Sequence, residues 1–359
     1  MTAGVATGVP STGPVATGGR GRAELFRALG VLAEAPGPTQ VRLAQALDLP
    51  GRPSAEAHTA ALVLGAHPYA SVYLGPEGML GGEAGDRVAG FWRAIGLAPP
   101  ADADHLTPLL GLYAELVEEE AGPGPHAPAA GRARAVLLEE HLLSWVPVFA
   151  GKVAALGDPC YAAWATLLLD ALVEEAAADR EVRSAPAAVL PAALREAPAP
   201  GGTDGSAAEL ATSLLAPVRT GMVLAASDLA IIARRLGLGL RIGERRYTLR
   251  ALLEQDAAGL LGALAVEAAA WEARHRALGD SVGPSGPWWA ARARAAAAWL
   301  ERAAAEARAA AQPLCGEVPP TLGASAAARA VGAGAGAPGA GAVRPVLGAG
   351  AGEGLVHEG

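Results

Sequence analysis

The chain has 359 residues, room for two modest domains, with 52% hydrophobic types but only 4% aromatics. Much of the apolar fraction is alanine, and β-branched and aromatic residues are scarce, which sets aside a sheet-based fold and points to an all-α protein. A formal charge of -8 argues against a general nucleic-acid binder, because such proteins neutralise phosphates with clustered basic side chains.

That charge is unevenly spread. Residues 20–180 carry 20 acids against 11 bases, whereas 218–250 carry seven arginines against Asp228 and Glu244. The two cysteines, Cys160 and Cys315, lack zinc-site spacing and read as incidental thiols. No apolar run reaches the roughly 18–20 residues that a spanning helix requires, so no stable membrane insertion is expected. Residues 1–19 lack the basic region and apolar core of a secretory signal, so a cytoplasmic location is the simplest expectation.

Residues 1–19 read as a flexible leader. Helical periodicity begins near Arg20, with Leu25, Phe26 and Leu29 on one face and Gly30 at its end. Short helices follow over Thr39–Leu47, which Thr39 can cap, and from Ser54 toward Leu64. Two prolines and two glycines then punctuate the aromatic stretch from His67 to Gly78.

Gly81-Gly82 precede a helix over 83–95 whose inner face is Val88, Phe91, Trp92 and Ile95. After Pro99-Pro100, Asp104 is placed to cap a helix that buries Leu106, Leu109, Leu110, Tyr113 and Val117. A Gly/Pro-rich loop reaches about Gly131. The next helix aligns Leu138, Leu142 and Trp145, and Pro147 must kink or restart it. Asp158-Pro159 opens a long helix through Tyr161, Trp164, Leu168 and Leu172.

Residues 181–206 read as a linker with one short helix near 189–194. An additional helical domain spans 207–311, with patterns over 210–222, 228–236, 249–253, 257–275 and 287–311. The Gly/Ala/Pro-rich tail, 312–359, has too few large side chains to offset the entropy of ordering.

Two stretches place a histidine beside an acid: Asp104-His105 and Glu140-His141. Neither comes with a nucleophile, a metal-ligand cluster or a phosphate loop, so they fit a binding surface better than a catalytic centre. Capping by Asp104 is the plain alternative for the first, and Trp145 reads as core beside the second. Asp228 to Arg250 also has a helix-turn-helix look, so a regulatory protein binding DNA through 228–250 is the competing reading.

The segment 20–180 resembles the TorD/DmsD/NarJ family of chaperones for molybdenum oxidoreductases. The resemblance rests on Tyr69 to Leu74, the Phe91-Trp92 helix, Asp104-His105-Leu106, and Glu140 to Leu143 with Trp145, Pro147 and Phe149. It implies an all-helical chaperone domain, followed here by an additional helical region. It also implies a molybdoenzyme precursor as partner, often bound at a twin-arginine leader during molybdopterin insertion, with no reaction catalysed and no cofactor or metal held. The family's motif, an acid and a proline followed by any residue and Asp-His, falls on Ala101-Asp102-Ala103-Asp104-His105, so the acid–proline pair is replaced. On this resemblance Asp104, His105, Glu140 and His141 are expected to face the partner, with Tyr69 and Tyr73 as weaker members. The region after 207 is left as a second domain, a homodimer surface or a cover for the client groove.

Overall fold

Alanine- and leucine-rich segments bond most cheaply as helices, and the computed structural model, which describes residues 19–183, 189–199, 207–241 and 243–311, is all-α. Among the described residues the sole β-type pairing is an isolated antiparallel bridge between Tyr69 and His105. The expected leader 1–18, the tail 312–359, and 184–188 and 200–206 of the expected linker lie outside the described residues.

The first part of the chain forms α1 (Gly19–Val31), α2 (Pro38–Ala46), α3 (Ala55–His58), α4 (Ala70–Leu74), α5 (Gly82–Ala94), α6 (Leu106–Ala121), α7 (Ala127–Val136), α8 (Val146–Ala155) and α9 (Pro159–Arg183). The later part forms α10 (Ala192–Arg195), α11 (Ala207–Leu215), α12 (Pro217–Thr220), α13 (Ala226–Leu236), α14 (Arg245–Leu278) and α15 (Ser285–Ala311).

Local chemistry sets most boundaries. The Asp158 carboxylate accepts the Tyr161 amide at 2.9 Å with Pro159 at the first helical position, as the sequence predicts. Pro147 lies in the first turn of α8, so the chain restarts there instead of kinking through. Thr39 is not the cap of α2, because Gly37 holds that position and its amide donates to the Gln40 side chain at 3.0 Å. The two stretches expected at 249–253 and 257–275 are halves of α14. They meet at Asp256, whose φ of -152° and ψ of 85° break the helix and whose carboxylate accepts the Gly259 amide at 2.8 Å.

Two segments that read as plain helix contain π-helical turns, at Thr59–Val63 and Leu137–Leu142. Their i→i+5 bonds, such as Leu64 N to Thr59 O and Leu143 N to Leu138 O at 2.8 Å each, insert one residue into the spiral and re-aim every side chain that follows. The second turn is the Glu140-His141 segment.

The core of the first part is an aromatic spine. Tyr73 stacks on Trp145 with centroids 5.3 Å apart, and Phe149 links Trp145 to Trp164 at 5.7 and 5.9 Å. Every ring in that chain is buried. The indole N–H groups are satisfied internally: Trp164 donates to Leu29 O at 3.0 Å and Trp145 to His141 O at 2.7 Å. α1 seats on α6 through Phe26 against Tyr113 at 4.7 Å, and the Thr107 hydroxyl donates to Gly30 O at 2.8 Å.

The later helices pack directly on this core. Trp289 on α15 donates its indole N–H to Ser144 O at 2.9 Å, and Lys152, the chain's only lysine, pairs with Asp228 at 2.5 Å. Gly221 follows α12 with φ +69°, and a Cβ there would sit 2.5 Å from the Ala293 amide nitrogen, so only glycine lets the chain approach α15 this closely. The Gly221 carbonyl accepts from buried His275, whose ring lies between Trp271 and Trp289.

Candidate functional site

Asp104 is buried, and its role differs from the one expected. It does not cap α6. Its carboxylate accepts the Ser71 amide at 3.0 Å and its carbonyl accepts the Ala70 amide at 3.0 Å, so it caps α4, 33 residues earlier in the chain. The cap of α6 is His105, whose Nδ1 accepts the Thr107 amide at 3.1 Å. An accepting Nδ1 places the proton of the neutral ring on Nε2.

His105 and Tyr69 are brought together. Their backbones form the isolated bridge and their rings meet edge to face at 4.7 Å. Both line a surface hollow of about 350 Å³ with His58, His67, Leu62 and Val63, and Glu34 stands on its rim. The π-helical turn Thr59–Val63 makes one wall and leaves Val63 exposed.

The hollow is electrostatically mild. Burial lowers the His105 imidazole from its ordinary value against the opposing pull of Asp102 and Asp104. It lowers His67 likewise, reinforced by Arg245, and raises the Tyr69 phenol. Imidazoles, an aromatic face and branched apolar groups suit a peptide's carbonyls and apolar side chains, with the Glu34 carboxylate on the rim and Asp102 near Tyr69 and His105 to answer a cation. Among the described residues no group of three or more His, Cys, Asp or Glu side chains is placed to hold a metal ion. His58 and His67 carried no signal in the sequence, since nothing in their spacing links them to His105.

Glu140 and His141 lie elsewhere and do not line that hollow. Helix α5 stands between the two pairs. Phe91 touches the His141 ring at 4.8 Å, while its neighbour Trp92 donates to Ala103 O beside Asp104 at 3.3 Å. His141 is buried, and desolvation aided by Arg87 lowers its pKa to about 4, so it is neutral at pH 7. Glu140 is half-buried and engaged within the chain, its carboxylate accepting the Ala192 amide of α10 at 3.0 Å. Tyr73 is fully buried in the aromatic spine, its hydroxyl has no hydrogen-bond partner among the described residues, and desolvation raises that group.

The arginines of 228–250 are largely engaged by the chain itself. Arg245 donates to Leu224 O at 3.0 Å and is partly buried, Arg246 reaches Met79 Sδ at 3.3 Å, and Arg241 meets the Tyr247 hydroxyl at 3.3 Å. The charged cluster that sequence reasoning missed lies between α6, α7 and α9. Buried Arg134 bonds Glu120 and Asp179 at 2.5 Å each and the Tyr113 hydroxyl at 3.1 Å, and Tyr113 donates to Glu175 at 2.6 Å.

The lining of the hollow from His58 onward, both π-helical turns and the start of α8 all fall within one stretch that carries a family signature. Residues 39–151 match the nitrate reductase delta subunit family. This stretch is homologous to a member of the NarJ/TorD/DmsD chaperone superfamily, which supports a role in redox-enzyme maturation. The delta-subunit match stops inside α8, so α9 to α15 lie beyond it. No curated protein and no solved structure matches the chain significantly. No helix among the described residues is long and apolar enough to cross a membrane.

Proposed function

We propose that the chain is a maturation chaperone that holds an immature subunit of a molybdenum-dependent oxidoreductase while its molybdopterin cofactor is inserted. The carrying observation is that the delta-subunit match over 39–151 contains every residue lining the His105 hollow except its 33–35 edge. No bond-making step is assigned to the chain.

In this proposal Tyr69 and His105 touch the client, with His58 and His67 completing the surface. Asp104 positions both by fixing the start of α4 and the bridge beside it. The client segment is the twin-arginine leader of the precursor, whose arginines would answer Glu34 and Asp102 while its apolar residues cover Leu62 and Val63. A precursor retains that leader before export, so the proposed place of action is the cytoplasm.

The test is recovery of partners from native extracts by wild type and by His67→Ala/His105→Ala. A molybdoenzyme precursor, identified by mass spectrometry, should fall at least about tenfold in the variant, a loss of about 1.4 kcal/mol, with helicity unchanged. Equal recovery by both proteins would remove the hollow from the mechanism.

A further inference from the structure

Residues 189–199, Val-Leu-Pro-Ala-Ala-Leu-Arg-Glu-Ala-Pro-Ala, cross the face that carries Glu140. In sequence they are bracketed by Ser184-Ala185-Pro186-Ala187-Ala188 and by Gly201-Gly202-Thr203-Asp204-Gly205-Ser206, neither of which offers a large apolar side chain. The hold on the segment therefore comes from its own contacts. Leu194 is 1% exposed, and Pro191 is buried. Glu140 accepts the Ala192 amide, Arg87 pairs with Glu196 at 2.8 Å, and Arg292 donates to the carbonyls of Pro198 and Ala197.

These are the marks of a docked peptide: one leucine anchor, a short helical turn capped by a carboxylate from the receptor, and backbone carbonyls held by a receptor arginine. The fit is also incomplete. Ala193, Glu196, Ala197 and Pro198 on one side and Leu74, Pro76, Glu83, Ala84 and Arg87 on the other leave a partly open hollow of about 90 Å³ between them. Longer side chains in place of the two alanines would reach into this space and cover Leu74 and Pro76, so a ligand that carries them gains contact the resident segment lacks.

We infer that residues 189–199 are an internal occupant of a peptide-docking groove built from α5, the π-helical turn Leu137–Leu142 and α15. An apolar client segment with a leucine in the place of Leu194, and side chains larger than alanine at the two adjoining positions, displaces it. A tethered occupant competes at a high effective concentration, so the groove stays closed to weak peptides and opens to those that fill the remaining space. The inference rests on the chaperone reading, but its test uses this chain's own segment as the probe and is independent of whether a precursor is recovered.

The probe is a fluorescein-labelled synthetic peptide of residues 189–199, titrated by anisotropy against the full chain. Two variants detach the resident copy. Leu194→Asp places a charge at the anchor, and Ala192→Pro deletes the amide that Glu140 accepts. The latter suits the backbone, because Pro191 already has the extended ψ of 139° that a following proline demands. Both variants should bind the probe at least tenfold more tightly than wild type, and adding Glu140→Ala to either should abolish the gain. A probe carrying leucine at positions 193 and 197 should bind more tightly than the native one. If Leu194→Asp aggregates, Ala192→Pro alone decides. Probe binding no tighter than wild type in a variant with unchanged helicity and melting would overturn the inference, as would a gain that persists after Glu140→Ala.

Discussion

His275 makes the attachment of the later helices sensitive to acid. Its ring is 2% exposed, it meets the Gly221 carbonyl at 2.8 Å, and burial lowers its pKa from 6.5 to about 4. Between those two values the unfolded chain binds a proton that the folded chain refuses, so stability rises with pH through this window. The contribution is fully present above about pH 6.5 and is lost as pH falls toward 4. At pH 5 the imbalance for one such imidazole is about 2 kcal/mol relative to pH 7.5, and below pH 4 it reaches about 3 kcal/mol. The clean measurement is a difference of differences: urea unfolding followed by far-ultraviolet circular dichroism at pH 7.5 and 5.0, for wild type and His275→Gln. Glutamine retains an N–H for Gly221 but does not titrate, so the variant, although weaker at pH 7.5 through lost ring packing, should lose about 2 kcal/mol less than wild type on acidification. Equal losses in the two proteins would refute the assignment of a buried neutral His275.

The Arg134 cluster and the Lys152–Asp228 pair give two further outcomes. Arg134→Leu should cost about 3–5 kcal/mol, because Asp179 and Glu175 both lose a buried cation, and Arg22, 3.0 Å from Glu175, is itself partly exposed; adding Glu175→Gln and Asp179→Asn should recover part of the loss in the same urea titration. Lys152→Met should cost about 2–4 kcal/mol, with Asp228→Asn in the same chain restoring most of it, since Asp228 is partly exposed and tolerates losing its charge better than losing its partner.

How far the sequence reveals this molecule depends on the range of the interaction concerned. The α1, α6 and α9 faces were legible because each repeats leucine and aromatic residues at helical spacing, and Asp158-Pro159 announced its helix through neighbours one to three residues away. The role of Asp104 was not legible, since its hydrogen-bond partner is Ser71, and a carboxylate before an apolar run gives no hint that it serves a different helix. The π-helical turns were equally hidden: LLEEHL supports i→i+4 and i→i+5 bonding alike, and the choice is made by packing against Phe91 and the segment around Ala192. For the same reason His141 reads as an accessible histidine on a helix, whereas its burial depends on a ring fifty residues earlier. Tyr69 and His105 are both among the residues the sequence reading expects to face a partner, but that they meet each other, and share a hollow with His58 and His67, depends on the bridge at 69 and 105 and the turn at 59–63.

The bond from Trp289 to the Ser144 carbonyl also sets a clock. Ser144 lies just past the π-helical turn, and the indole that satisfies its carbonyl is encoded 145 residues later. At a synthesis rate of about 5–20 residues per second, about 7–30 s separate the emergence of the two groups. Throughout that interval the family-matched stretch lacks the indole of α15 and the Trp289 site stands open, whereas Lys152 meets Asp228 sooner, 76 residues after its own synthesis. A nascent chain thus presents to its surroundings the apolar face that the finished protein keeps closed, and α15 completes a part made well before it.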